Sequence, residues 1–510
     1  MKAKHFVWGS LLLLVVFLFV GHQAILHEPP QSIHKWRQSD SASWAWNYYH
    51  GSANLFKPQF NNLANEQKAA SEFPIVYWLV GMFYRLFSPH HAWFRGLQLL
   101  IVFSGFWALY RWAMLMLTDH SWSILYALLI ASSPLLHFYA NGFIPDPLAF
   151  AACAWGWYGF FRYRATPQAH VLTLSLLSFG LAALFKVSFI GSLGAAALLL
   201  LWRTPLRTTE AKVNPWYWQQ VCLIVGVGGL IVAWYLYASW YTTGFDRAHF
   251  STIVRPWTSL NLEESRLIWD DLRDFHLPYL YHPLCGTFLL LLSISPLLWL
   301  KQSRRDWWFL SGMIGISLLL YLYCFYWLMG VHEYYLLAFL PLIAMGGLHG
   351  LQGLQERWPR IMASPILKVL VLALVIFGLY RAKTELRMRY FGRTMNYKEH
   401  PAFYHSELQS FLLQLGITPD TRVISVPDYS PNNTLYLLQR TGWSNANFTL
   451  QEPQKMNDWI KTDGAEFLII SDTSLWREAN WAPYFRYPKG EFEGLYVYGL
   501  GEDVPRETSD

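Results

Sequence analysis

Eight ionisable side chains stand in the connections between apolar stretches of this chain: Arg37, Asp40, Glu72, Asp146, Lys186, Arg255, His332 and Glu333. An Asp, Lys or Arg at the centre of a bilayer costs roughly 2.5–3.5 kcal/mol, so a cluster of charges near hydrocarbon calls for a reason. These residue types suit the displacement of a phosphate leaving group, which needs a base on the attacking hydroxyl and cations on the departing oxyanion. Asp40 is the candidate base, and Arg37, Lys186, His332 and Arg255 are the candidate cations. Glu72, Asp146 and Glu333 are supporting acidic groups.

Each residue also has a purely structural reading. Asp40, closing the run HKWRQSD, would cap a helix over 41–50. Glu72 and Asp146 each precede a helix with Pro74 or Pro147 beside them, which suits an N-terminal cap. Lys186 joins two adjoining apolar segments and would snorkel to the headgroups, and His332 with Glu333 would be ordinary loop. Glu72, His332 and Glu333 could together hold a metal, yet no HExxH or comparable spacing is present. No cofactor is therefore required, and a divalent metal stays only an option. With neither a P-loop nor a GxGxxG, a nucleotide site is not expected.

The elements that position these residues follow from hydropathy. Only 14% of the residues are charged and 54% are hydrophobic, against roughly 25% charged in a soluble domain. Apolar segments recur at 6–26, 94–117, 122–140, 148–161, 171–185, 187–202, 221–240, 284–300, 308–329, 334–350 and 366–380. The fold class expected is a polytopic α-helical membrane protein with about eleven transmembrane helices plus interfacial helices. The 27 Trp fit interfacial belts, with some free to stack on sugar rings. From about residue 400 the period changes. Helices at 406–415, 433–441 and 452–462 alternate with strands at 422–426, 466–470 and 495–500, giving a small α/β soluble domain. The divisions are a membrane body 1–381, a linker 382–399 and a terminal domain 400–510, with long loops at 27–71 and 242–282.

Sidedness follows from Lys and Arg in short loops. Arg111, Arg162 with Arg164, Arg203 with Arg207 and Lys212, Lys301 with Arg304 and Arg305, and Arg357 with Arg360 mark every second loop as cytoplasmic. The N-terminus is then cytoplasmic and the terminal domain extracytoplasmic. Residues 75–87 are too short for a span and are placed at the outer interface, as is the aromatic helix 41–50, while 262–274 is expected to contain a short helix. This brings Asp40, Glu72, Asp146, Lys186, His332 and Glu333 to one membrane level, in an outward-facing polar cleft. The net charge of +6 is dispersed over many loops without a basic run, which excludes a nucleic-acid partner. Cys153, Cys222, Cys285 and Cys324 form no CxxC pair and indicate neither zinc nor a disulfide framework.

An Asp in the first outer loop, the short helix opener EFPIVYWL (72–79), the turn at Pro145–Asp146 and HEYYLLAFLP (332–341) resemble the GT-C lipid-phosphate-sugar transferases. Both the family 39 protein mannosyltransferases and the aminoarabinose transferases of lipid A are similar to this pattern over the membrane body. The resemblance implies a polyprenyl-phosphate sugar donor, an acceptor hydroxyl on a glycolipid, glycan or protein, inversion at the anomeric carbon, and Asp40 as general base. Two positions depart from it. Ser41 replaces the Glu of the mannosyltransferases' Asp-Glu pair, and Glu72-Phe73-Pro74 stands where the aminoarabinose enzymes have Lys-Pro-Pro. The rival readings are a transporter or flippase of envelope lipids or glycans, and a non-catalytic assembly protein. Neither an inverted repeat nor a midplane polar site favours transport.

Overall fold

A computed structural model describes residues 2–117, 119–204, 215–242, 254–299, 305–392 and 399–501. Arg207, Lys212, Lys301, Arg304, residues 243–253 of the second long loop and residues 393–398 of the linker lie outside the described residues.

The helices, in chain order, begin with α1 (Lys2–Val20), α2 (Lys35–His50), α3 (Ile75–Leu86), α4 (His91–Leu117), α5 (His120–Ala131), α6 (Pro134–Ala140) and α7 (Asp146–Ala165). Next come α8 (Ala169–Phe185), α9 (Ile190–Arg203), α10 (Pro215–Tyr241), α11 (Leu262–Asp271), α12 (Leu277–Leu280), α13 (Pro283–Ile294) and α14 (Arg305–Met329). The membrane part closes with α15 (Leu340–Arg357), α16 (Pro359–Met362) and α17 (Pro365–Phe391). The terminal domain holds α18 (Leu408–Gln414), α19 (Asn433–Leu438), α20 (Asn457–Lys461) and strands β1 (Arg422–Val426), β2 (Thr441–Ser444), β3 (Phe467–Ile470), β4 (Pro488–Phe492) and β5 (Leu495–Gly499).

Each apolar segment read from the sequence is helical over most of its described residues, and the protein is a polytopic helical membrane protein. Among the described residues five helices are long and apolar enough to cross a membrane singly, or up to seven spans if each of two bent pairs counts as one. One expected span, 122–140, is not straight: α5 and α6 meet at 71°. Pro134 opens α6 behind the Ser133 cap, so the amide needed to continue α5 is missing. Similarly, α13 gives way to a 3₁₀ turn at Ser295–Trp299, which contains Pro296.

The chain forms two compact units. The first comprises Met1–Leu26, Arg95–Tyr237 and Thr252–Arg387. Within it Asp306, at the start of α14, takes ion pairs from Arg164 at the end of α7 and Arg203 at the end of α9. Lys368 of α17 reaches Asp119, the cap of α5, at 3.0 Å. The first of these clusters joins three connections that the Lys and Arg distribution assigns to the cytoplasm. Reporter fusions after Gly442 are accordingly expected to report an extracytoplasmic location, and a cytoplasmic signal there would invert the whole assignment.

The second unit comprises His27–Phe94, Ala238–Ser251 and Met388–Asp510. Its sheet runs β2-β1-β3-β5-β4, parallel at β2-β1-β3 and antiparallel at β3-β5-β4. Ile424, Val426, Leu468, Ile470, Met456 and Trp481 fill its core. The helix expected at 433–441 stops at Leu438, because Gln439 turns left-handed and Thr441–Ser444 pairs with β1 instead. Backbone from the first long loop joins that edge: Leu63 N–H donates to Gly442 O at 2.7 Å and Gly442 N–H to Asn61 O at 3.0 Å. That loop therefore packs as part of the terminal domain's own unit.

Candidate active site

Asp40 is fully buried and is the sixth residue of α2, which starts at Lys35 behind a left-handed His34. The expected start at residue 41 was late, and the capping role expected of Asp40 does not exist. Local propensity misleads here, because Ser39, Ser41 and Ser43 are mediocre helix formers. Burial on several sides stabilises the helix instead, with Arg37 through Ala45 all buried. Trp44 and Tyr48 are likewise buried, Trp44 between Phe60 and Tyr77, while Trp46 and Tyr49 of the same helix stay half-buried.

Buried polar groups need hydrogen-bond partners, and α2 finds them on two faces. Toward α3, Arg37 forms an ion pair with Glu72 and donates to Ser41 Oγ at 3.3 Å. Glu72 also accepts from Tyr77 Oη at 2.9 Å and from the Ser71 hydroxyl. Glu72 is thus no helix cap: the N-cap of α3 is Pro74, with no side-chain cap bond. The two helices approach closely at Gly81, where a methyl group would lie 2.5 Å from Tyr48 Cβ and 2.9 Å from the Ala45 carbonyl oxygen.

Toward the sheet, Ser39 Oγ donates to Asn433 Oδ1 at 2.6 Å and Ser43 Oγ to Asn61 Oδ1 at 2.8 Å. Asn433 Nδ2 donates to Glu399 at 2.8 Å, and Glu399 pairs with Lys35 at 2.9 Å. The turn before α19 is held by Asp428, which accepts from the amides and hydroxyls of Ser430 and Thr434 at 2.7–2.9 Å. Burial pushes the Asp428 carboxyl up to about 6, against the pull of those donors.

In the other unit Asp146 is buried and is the first residue of α7, behind the N-cap Pro145. Its charge stands at the positive end of the helix dipole. Lys186 Nζ lies 3.6 Å from its Oδ1 and 4.5 Å and 5.2 Å from the ring centres of Tyr335 and Tyr334. Glu333 is buried and accepts from Tyr139 Oη at 2.9 Å, and the His332 ring lies 5.4 Å and 5.5 Å from those of Tyr334 and Tyr335. Asp146, Lys186, His332 and Glu333 therefore gather around one tyrosine cluster, and the snorkelling and ordinary-loop readings give way to a packed polar site. Arg255 stands elsewhere: both Glu264 oxygens accept from its Nη2 at 2.9 Å, beside the capping box that starts α11.

The tyrosines were the missed residues. Tyr77, Tyr334 and Tyr335 lie inside the EFPIVYWL and HEYYLLAFLP runs, yet nothing in their spacing assigns them the carboxylate and ammonium contacts they make. Among the described residues no group of three His, Cys, Asp or Glu is placed to hold a metal. Of the three metal-donor candidates, Glu72 has both oxygens engaged and Glu333 is held by Tyr139.

No protein-family model and no curated protein matches the chain. Among solved structures, ArnT from Cupriavidus metallidurans aligns in its apo form with a TM-score of 0.61 at 14% identity, covering 99% of this chain and 100% of that one. The same protein bound to undecaprenyl phosphate aligns with a TM-score of 0.61 at 13% identity and the same coverage. The mycobacterial arabinofuranosyltransferase AftD aligns with a TM-score of 0.51 at 15% identity, over 97% of this chain and 41% of its own. The chain shares the fold of ArnT along its whole length.

Proposed function

We propose that this protein is an inverting glycosyltransferase of the bacterial inner membrane, moving a sugar from a polyprenyl-phosphate donor to a hydroxyl at the outer face. The acceptor belongs to a glycolipid, a lipopolysaccharide glycan or a protein. The observation that carries this reading is the full-length likeness to a fold that in ArnT holds undecaprenyl phosphate. In the reaction, the acceptor oxygen attacks the anomeric carbon as the bond from that carbon to the phosphate oxygen breaks. The acceptor proton passes to Asp40, and the phosphate leaves with the bonding electron pair.

The departing phosphate needs a cation, and Lys186 is the one its surroundings favour. All three pair with a carboxylate, but Arg37 and Arg255 donate hydrogen bonds directly to Glu72 and Glu264, whereas Lys186 meets Asp146 at 3.6 Å, beyond hydrogen-bond distance, and otherwise faces tyrosine rings. Hydrogen bonds to a charged group contribute about 1.5–3 kcal/mol. Lys186→Ala is therefore expected to weaken polyprenyl-phosphate binding about ten- to a hundredfold, measured by calorimetry in detergent. Unchanged affinity in both Lys186→Ala and His332→Ala would remove these residues from the phosphate site. The activity itself is tested by incubating the purified protein with defined polyprenyl-phosphate sugars and acceptor lipids and following polyprenyl phosphate release. Passage of a labelled sugar lipid across proteoliposomes without any release would replace transfer by transport.

A further inference from the structure

The terminal domain is built like an open α/β sheet whose strand order reverses at β1: the chain passes from β1 outward to β2, then back across to β3. In such sheets ligand sites form outside the carboxyl ends of the strands at the reversal. Here the segment that leaves the carboxyl end of β1 carries Asn432 and Asn433, and what it holds is helix α2. Asn433 Oδ1 accepts from Ser39 Oγ at 2.6 Å, and Asn432 Oδ1 accepts from the Asn61 amide at 2.8 Å and from Ser43 Oγ at 3.5 Å. Ser39 and Ser43 are one turn apart and share a face of α2. Asp40 follows Ser39 directly and points about 100° around the helix from it. A second tie runs from Asn433 Nδ2 through Glu399 to Lys35, the first residue of α2. The segment itself is fixed by the four hydrogen bonds that Asp428 accepts.

We infer that the C-terminal α/β domain is a clamp on the helix that carries Asp40, with Asn433 as a positioning residue acting through Ser39. The inference rests on the proposed role of Asp40 as base. The Ser39–Asn433 bond is short and neutral and joins two buried side chains, so it fixes orientation without adding charge beside the carboxylate. A base displaced by about 1 Å loses on the order of a hundredfold in rate.

The test uses the full-length protein in lipid nanodiscs. Asn433→Ala, and Ser39→Ala, which removes the same hydrogen bond from the helix side, are each expected to lower kcat about ten- to a hundredfold with donor KM little changed. In an Asp40→Asn background the same changes are expected to add almost nothing, because a residue acting through Asp40 has nothing left to position. Amide hydrogen exchange in Asn433→Ala is expected to quicken in α2 and not in β1 or β3. Effects that multiply with Asp40→Asn, or unchanged exchange across α2, would overturn the clamp. If the wild type releases no polyprenyl phosphate from any donor, the functional reading fails while the exchange measurement still decides the clamp.

Discussion

Asp40→Asn is expected to lower the rate of sugar transfer about a hundred- to ten-thousandfold, the usual contribution of a positioned general base. The amide keeps the shape of the carboxyl but cannot take the acceptor's proton. Asp40 lies fully buried in the middle of α2, five residues past the helix start, so loss of a helix cap cannot produce the effect. Donor affinity is expected to change little, since the proton acceptor acts on the attacking hydroxyl rather than on the phosphate. The measurement is turnover beside donor titration, on protein that elutes as the wild type does in detergent. Transfer near the wild-type rate would take Asp40 out of the mechanism and move the base to Glu72 or Asp146.

The second large effect is on stability. The side chains of Arg37 and Glu72 are 11% and 7% exposed, and their pair joins α2 to the segment that opens α3. Removing one member of a buried ion pair typically costs about 3–5 kcal/mol, because the other charge stays buried without its partner. Glu72→Ala also strips an acceptor from Tyr77 and from Ser71. Its thermal midpoint in detergent is therefore expected to fall well below that of the wild type. The double change Arg37→Met with Glu72→Leu is expected to regain most of the loss, since apolar pairs often replace buried ion pairs without penalty. It also isolates chemistry from folding. A stable double variant with weakened donor binding assigns Arg37 to the phosphate, whereas one with intact binding leaves the pair a strut. A Glu72→Ala protein as stable as the wild type would refute the strut.

What the sequence determined by itself is what hydropathy and local periodicity encode. The apolar segments are helical over most of their described residues, β1 runs from Arg422 to Val426 as read, and the acid-rich stretch after Asn261 is a capped helix. Such features need only a few consecutive residues and one solvent preference, so one-dimensional patterns suffice. Asp146, Lys186, His332 and Glu333 do meet, whereas the sequence reading joined Asp40 and Glu72 to them in one cleft, and these two belong to the other compact unit.

Tertiary structure alone decided the rest. The start of α2 at Lys35 depends on burial of serines that would not hold a helix in water. The strand at Thr441–Ser444 exists because β1 and the backbone of Asn61 and Leu63 flank it, after Gln439 ends α19. Arg37, read as a cation for phosphate, is matched by a glutamate 35 residues away. Asn433, nearly four hundred residues beyond Ser39, bonds to the side chain beside Asp40. A buried polar group must be satisfied by whatever the fold brings within about 3 Å, and no sequence spacing records which residue that will be.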